Sequence, residues 1–253
     1  MNLKTMSENQ GILTATISCE VAKEIVKGIE NTDEQAVFIF DESGLFVRVS
    51  DPYRARVLEI HLPAEDFTAY GFSSGSEQIR VGIVISRLKD ITKTLRKGQS
   101  LELVYQKGQN KLELNTGLLT RSVRLVRPEL MTDVPIISLA HLFEAEIGFD
   151  SLNQFLKASN GKGHQLDLIT DGALIFASET DEGSVRLSKT PEEVSLKPSD
   201  YISMTTFSVE HMLKVLALGN DVISIRGKQD SAVEFSWTSK AGLKMRAWVG
   251  PRV

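Results

Sequence analysis

Apolar and polar residues alternate with a period of two along Leu101-Glu102-Leu103-Val104-Tyr105, Lys111-Leu112-Glu113-Leu114 and Val233-Glu234-Phe235-Ser236-Trp237. A strand patterned this way buries one face and wets the other, so these segments predict antiparallel sheets. Elsewhere the apolar positions recur every three or four residues: Val21, Ala22, Ile25, Val26 and Ile29; Val84, Leu88, Ile91 and Leu95; Leu152, Phe155 and Leu156; Val209, Met212, Leu213 and Leu216. That spacing puts each set on one side of a helix, where it can cover the apolar face of a sheet. Helices are therefore expected over 20–29, 85–97, 150–158 and 208–218. Between strands, Glu42-Ser43-Gly44, Lys107-Gly108, Asp171-Gly172 and Lys240-Ala241-Gly242 supply residues that tolerate the positive φ of hairpin turns.

The pattern occurs twice. In the first half a strand at 15–18, a helix from 20, and strands at 36–40 and 45–49 surround the turn Asp41-Glu42-Ser43-Gly44. The second half answers with Ala145-Glu146-Ile147-Gly148, a helix from 150, and strands at 165–169 and 173–177 about Thr170-Asp171-Gly172. A helix closed by glycine and followed by a strand also recurs, at Gly98 before 101–105 and at Gly219 before 222–226. Such duplication predicts an α+β chain of two similar domains, placed here at 11–125 and 141–253. The segment 126–140 between them holds Pro128 and Pro135 and follows neither period, which marks a connector.

With 253 residues, 42% of them hydrophobic and 25% charged, the chain has the composition of a folded globular protein rather than a disordered one. No apolar run reaches the roughly 18 residues of a membrane helix, and Met1 to Gln10 is polar, so a cytoplasmic or nuclear location without membrane contact is expected. Cys19 cannot close a disulfide within the chain, and His61, His141, His164 and His211 lack the short spacings of zinc sites, so neither metal nor cofactor is expected. The glycine-rich phosphate loops, the G-x-S-x-G elbow and H-E-x-x-H are all missing. Asp41-Glu42 and Asp181-Glu182 are adjacent carboxylates, but each lies beside a glycine at a hairpin tip, where turn formation explains them. Cys19 opens a helix, a place that can activate a thiol, yet no histidine accompanies it in the segment. Catalysis is not expected.

The net charge of -4 conceals an uneven distribution. Opposite their apolar sides the four helices carry Lys23 and Lys27; Arg87, Lys89, Lys93, Arg96 and Lys97; Lys157; and Lys214 beside His211. A lysine in a last turn is favoured by the helix dipole alone, but four helices biased alike would form a basic strip if they lay side by side. Such a strip is the footprint of phosphate-backbone contact without sequence readout. These faces have no aromatic residues on which bases could stack, which favours duplex over single-stranded nucleic acid.

Four separated motifs carry a family likeness. Asp41-Glu42-Ser43-Gly44-Leu45-Phe46-Val47-Arg48-Val49-Ser50-Asp51-Pro52 resembles the E-D-G-L-x-x-R-x-x-D-P-S signature of archaeal and eukaryotic sliding clamps, the proliferating cell nuclear antigen (PCNA) family. Trp248-Val249-Gly250-Pro251-Arg252-Val253 resembles that family's L-A-P-R terminus. Asp133-Val134-Pro135 followed by Phe143-Glu144-Ala145-Glu146 is similar to the end of its interdomain connector, and Ser184-Val185-Arg186-Leu187-Ser188 to its second-domain edge strand. The likeness runs from Gly11 onward, and Met1 to Gln10 has no counterpart.

The resemblance implies a ring of three subunits, helices inside and sheets outside, that encircles double-stranded DNA and is not an enzyme. The ten helix residues named above would face DNA. Short peptides of DNA polymerase, clamp loader, flap endonuclease and DNA ligase would dock in an outer pocket formed, by matching position, by Asp51, Arg54, Ala55 and Val57, by Val134 and Pro135, and by Trp248, Gly250 and Pro251. Subunits would join through edge strands bearing Arg121, Val123 and Leu125 on one side and Ser184, Val185 and Leu187 on the other. Ser50 stands where the family has an apolar residue, Arg54 and Arg56 make the rim basic, and Gly250 replaces alanine. These departures leave open a specialised subunit of a heterotrimeric or repair ring. A reading of another class, a small metal-dependent hydrolase or nuclease, would need carboxylates that only the fold brings together.

Overall fold

Ser18 begins the first helix by accepting the amide of Val21 on its hydroxyl at 3.2 Å, an N-cap that satisfies one of the orphan donors of the first turn. It lies in a computed structural model that describes residues 12–73, 78–131, 134–161, 164–180 and 183–252. The chain forms two compact units. The first comprises the residues up to Val49, Ile60–Val134 and Ala241–Leu243; the second comprises Ser50–Glu59, Pro135–Lys240 and the C-terminal segment from Lys244.

In the first unit β1 (Ile12–Ser18) runs into α1 (Cys19–Glu30), whose buried residues include Val21, Ala22, Ile25, Val26 and Ile29, the set that the spacing put on one side. β2 (Gln35–Asp41) and β3 (Gly44–Ser50) form the expected hairpin. β4 (Arg56–Pro63), of which the part from Ile60 belongs to this unit, β5 (Ala69–Ser73), β6 (Ile79–Val84), α2 (Ile85–Thr92), β7 (Ser100–Gln106), β8 (Lys111–Asn115) and β9 (Thr120–Arg124) follow. The strand orders are β5-β1-β7-β8-β9 and β4-β3-β2-β6, and the neighbours within the first and within β3-β2-β6 are antiparallel.

The second unit holds β10 (Phe143–Gly148), α3 (Phe149–Ala158), β11 (Gln165–Thr170), β12 (Leu174–Thr180), β13 (Gly183–Lys189), the single turn α4 (Pro191–Val194), β14 (Ser203–Ser208), α5 (Val209–Val215), β15 (Val222–Gly227), β16 (Val233–Thr238) and β17 (Lys244–Val249). Its orders are β10-β15-β16-β17 and β13-β12-β11-β14. The first repeats β1-β7-β8-β9 and the second repeats β4-β3-β2-β6, so the duplication seen in the sequence extends to the topology of each unit. α3 follows β10 as α1 follows β1, and α5 precedes β15 as α2 precedes β7.

Two helices are shorter than their periodicity predicts. α2 stops at Thr92 rather than at 97, because the hydroxyls of Thr92 and Thr94 accompany the last turns by donating to the carbonyls of Lys89 and Ile91, and Gly98 then reverses the chain at φ 83°. Leu95 is buried all the same, which kept the helical spacing going. α5 likewise ends at Val215, with Leu216 and Leu218 buried beyond it. α4 was not expected, although Thr190 and Glu193 form a complete capping box. β5, β6, β14 and β17 also lie outside the expected set. β6 buries Val81, Gly82 and Ile83 consecutively, which erases the alternation by which a strand is recognised. Gly82 is required there: its carbonyl accepts the Val126 amide at 2.8 Å, and a Cβ would meet the Val126 carbonyl at 2.5 Å.

Candidate functional site

The helix cations are less available than their number suggests. Lys23 donates to the carbonyl of Leu95 at 2.9 Å, Lys89 pairs with Glu30, Arg87 donates to the carbonyl of Arg124, and Lys214 pairs with Glu210 at 2.5 Å. Lys27 and Lys157 are exposed in the last turns of α1 and α3. Lys93, Arg96 and Lys97, expected on a helix, are instead exposed at and beyond the C-cap of α2. His211 is half-buried. Burial first, and the Arg56 guanidinium second, lower its pKa below the ordinary 6.5, so it adds no charge to α5 at neutral pH.

Asp51 organises the loop between β3 and β4. Its side chain is buried, and Oδ1 accepts the Arg56 amide at 2.8 Å. Its own amide donates to the Arg56 carbonyl at 3.1 Å, and its carbonyl accepts the Arg54 amide at 2.9 Å, turning the chain with Arg54 at φ 55°. Ser50, polar where an apolar residue is usual in the family, is buried and donates its hydroxyl to the Asp51 carbonyl at 3.0 Å. Val57 is buried at the start of β4. The C-terminal segment is tied to this loop: the Gly250 amide donates to the Ala55 carbonyl at 2.8 Å, and the Arg252 amide to the Thr206 carbonyl at 2.8 Å. Ala55, Gly250 and Pro251 are half-buried and Arg54 is exposed, so together they form an accessible surface. Asp51, Arg54, Ala55, Gly250 and Pro251, up to about 200 positions apart in the chain, therefore lie in one unit, where the Gly250–Ala55 bond joins their two segments.

Trp248 has a different place. Its side chain is 2% exposed, and the indole N–H donates to Glu234 Oε2 at 3.0 Å. The same carboxylate, itself buried, faces His141 Nε2 at 3.5 Å and Arg246 Nε at 3.7 Å. The Arg246 guanidinium also lies 5.7 Å from the indole ring centroid. Trp248 thus holds the terminal strand in the core of its unit, and its ring is not an open pocket wall. Glu234 and His141 were missed in the sequence because neither belongs to a local motif; only strand pairing brings them to the tryptophan. His141 also lines a groove of about 360 Å³ with Phe143, Lys197, Pro198 and Arg226. In the connector Val134 is half-buried and Pro135 exposed, whereas Asp133 lies outside the described residues.

β9 and β13 each end a strand order. On β9 Val123 is buried and Arg121 exposed; Leu125, just past the strand, donates its amide to Asn110 at 2.8 Å. By the alternation of an antiparallel ladder this phase turns the amides of Arg121 and Val123 toward β8 and those of Ser122 and Arg124 away from it. On β13 Ser184 is exposed while Val185 and Leu187 are half-buried; Asp181 and Glu182 lie outside the described residues.

Among the described residues no group of three or more His, Cys, Asp and Glu side chains is placed to hold a metal ion, and no helix is long and apolar enough to cross a membrane. Cys19 is buried at the start of α1.

No protein-family model matches the chain. A DNA polymerase sliding clamp of Pyrobaculum aerophilum is 22% identical over 236 residues, covering 90% of this chain and 93% of that protein. One from Thermoplasma volcanium is also 22% identical, covering 93% and 96%, and one from Pyrococcus abyssi is 29% identical, covering 70% and 69%. Among solved structures, A. fulgidus PCNA with the C-terminal region of FEN-1 bound superposes with a TM-score of 0.86 at 18% identity, covering 95% of this chain and 98% of that one. PCNA of Thermococcus kodakaraensis gives 0.80 at 20% identity, covering 95% and 100%. A PCNA2–PCNA3 complex of Sulfolobus tokodaii gives 0.75 at 18% identity, covering 94% and 99%. The duplicated fold and these relatives agree: the chain is similar along most of its length to DNA polymerase sliding clamps and has the fold of the PCNA structures.

Proposed function

We propose that this chain is a non-enzymatic subunit of a trimeric ring that encircles double-stranded DNA and tethers replication and repair enzymes to it. The observation that carries this reading is the likeness along almost the full length of both proteins to a DNA polymerase sliding clamp. The duplicated topology supports it, since two similar units per chain are what a ring of repeating elements needs.

The edge strands supply the means of closure. An unpaired edge presents free amides and carbonyls, and a chain with two such edges associates head to tail. Residues 118–127 contain Arg121, Arg124 and Arg127 and no acid, whereas 179–193 contain Glu179, Asp181, Glu182, Glu192 and Glu193 against Arg186 and Lys189. A basic edge and an acid-rich one are complementary between two copies of the same chain. DNA contact is assigned to the exposed Lys93, Arg96, Lys97 and Lys157, with Lys23, Lys27, Arg87, Lys89 and Lys214 adding less because protein groups already engage them.

Partner peptides are assigned to the surface at Asp51, Arg54, Ala55, Gly250 and Pro251, with Val134 and Pro135 of the connector. The structure of a relative with a FEN-1 region bound supports peptide docking of a flap endonuclease, and by extension of DNA polymerase, DNA ligase and clamp loader. Native mass spectrometry of the purified chain tests the assembly: a species of three times 28.0 kDa is expected. A species that stays at 28.0 kDa, and becomes a ring only when a different clamp chain is added, would assign it to a heteromeric ring like the complex formed by its Sulfolobus relatives.

A further inference from the structure

We propose that Arg54 and Arg56 make the surface at Ala55 and Gly250 selective for partner peptides that carry a carboxylate beside their anchoring residues. This rests on the reading that partner peptides dock there. The two arginines flank Ala55, whose carbonyl is fixed by the Gly250 amide at 2.8 Å, so both are tied to the position where the loop meets the C-terminal segment. Arg54 is exposed, and its backbone is held at φ 55° by the bond of its amide to Asp51. Arg56 is half-buried, and its Nε is buried with no acceptor among the described residues.

The carboxylates nearest Arg56 already hold other partners, although Glu210 also feels the Arg56 charge. Asp51 is buried and accepts the backbone amide of Arg56, and Glu210 is paired with Lys214 at 2.5 Å. His211, which also faces Arg56, is neutral at physiological pH and offers no counter-charge. An incoming carboxylate would thus find the exposed Arg54, which has no ion-paired carboxylate among the described residues, beside Arg56, whose nearest acids are already engaged, and each guanidinium offers a fork of donors suited to bidentate contact. A peptide flanked by lysine or arginine would meet like charge at the same rim, which is how such a site rejects as well as selects.

The test uses the full chain and three synthetic peptides that share a core of one glutamine and two adjacent aromatics, flanked by Asp-Glu, by Ala-Ala or by Lys-Arg. Calorimetry should show the Asp-Glu peptide binding about three- to tenfold more tightly than the Ala-Ala peptide, with the Lys-Arg peptide weakest, and the spread should narrow as salt screens the charges. In Arg54→Gln/Arg56→Gln the ratio between acidic and neutral peptides should fall to near one. Because Arg56 is half-buried, Arg54→Asn is measured as well; asparagine tolerates positive φ at this exposed position, and the variant should lose part of the ratio. Equal affinities in the wild type, a preference for the Lys-Arg peptide, or a ratio that survives both variants would overturn the proposal while leaving peptide docking intact. Failure of all three peptides to bind would remove the docking reading and this one with it.

Discussion

The Gly250 amide donates to the Ala55 carbonyl across 2.8 Å, joining two segments that lie almost 200 positions apart. A Cβ built on Gly250 would sit 3.5 Å from that oxygen and 4.0 Å from the Ala55 Cα, which is ordinary van der Waals contact. Glycine is therefore not required by space, and its backbone φ is not positive. Gly250→Ala should leave peptide binding unchanged and raise stability by up to about 1 kcal/mol through the denatured chain. Gly250→Pro removes the donor and should weaken peptide binding; thermal denaturation and calorimetry on both variants check the pair.

Gly44 behaves oppositely. It has φ 127°, and an added Cβ would lie 2.7 Å from the Ala64 nitrogen and 2.9 Å from the Pro63 carbonyl carbon, both backbone atoms that cannot rotate away. The hairpin tip is further fixed by the Ala64 amide donating to the Ser43 carbonyl at 2.9 Å and by the half-buried Tyr70, whose hydroxyl donates to the Asp41 carbonyl at 2.5 Å. Gly44→Ala should cost about 3 kcal/mol or more, read as a lower denaturant midpoint at unchanged slope.

His211 predicts a pH dependence. Its folded pKa lies below 6.5, chiefly from burial and then from Arg56, so the unfolded chain binds more protons as the pH drops below that value. The contribution of the neutral imidazole is fully present above pH 6.5 and is lost as pH falls toward the folded pKa. Stability should therefore decline from pH 7 to pH 5, ahead of the carboxylates Asp41 and Glu210, whose lowered pKa values act at more acidic pH. His211→Gln should flatten that stretch of a denaturation series.

Local chemistry explains which parts of this molecule could be read from its sequence. The β2–β3 hairpin, the cap at Ser18 and the buried sides of α1 and α3 follow from residues within a few positions of one another. The meeting of the Asp51 loop with the C-terminal segment was visible only through the family motifs. Lys89 looked like a free cation because Glu30, its partner, is 59 positions away. Trp248 looked like a pocket wall because Glu234, which accepts its indole N–H from the neighbouring strand, carries no sign of that role in its own segment. α2 was overextended since Leu95 is buried at helical spacing although the helix has already ended.

The outward phase of Ser122 on β9 makes it the position to test ring closure. Proline there removes an amide that points away from β8, so the internal ladder should persist while an incoming strand loses a donor. Ser122→Pro should lower the fraction of trimer in light scattering at unchanged circular dichroism. A trimer of wild-type stability would place the subunit contact elsewhere.

The central claim is topological: a closed ring held on DNA by encirclement rather than by affinity. The direct measurement loads the chain, with its clamp loader and ATP, onto a nicked circular duplex, isolates the complex by gel filtration in high salt, and then cuts the circle once. Encirclement predicts that the protein stays with the circle in salt that abolishes backbone contacts and leaves within minutes of linearisation, by sliding off the ends. Release from the intact circle in high salt, or equal retention on circular and linear DNA, would contradict it.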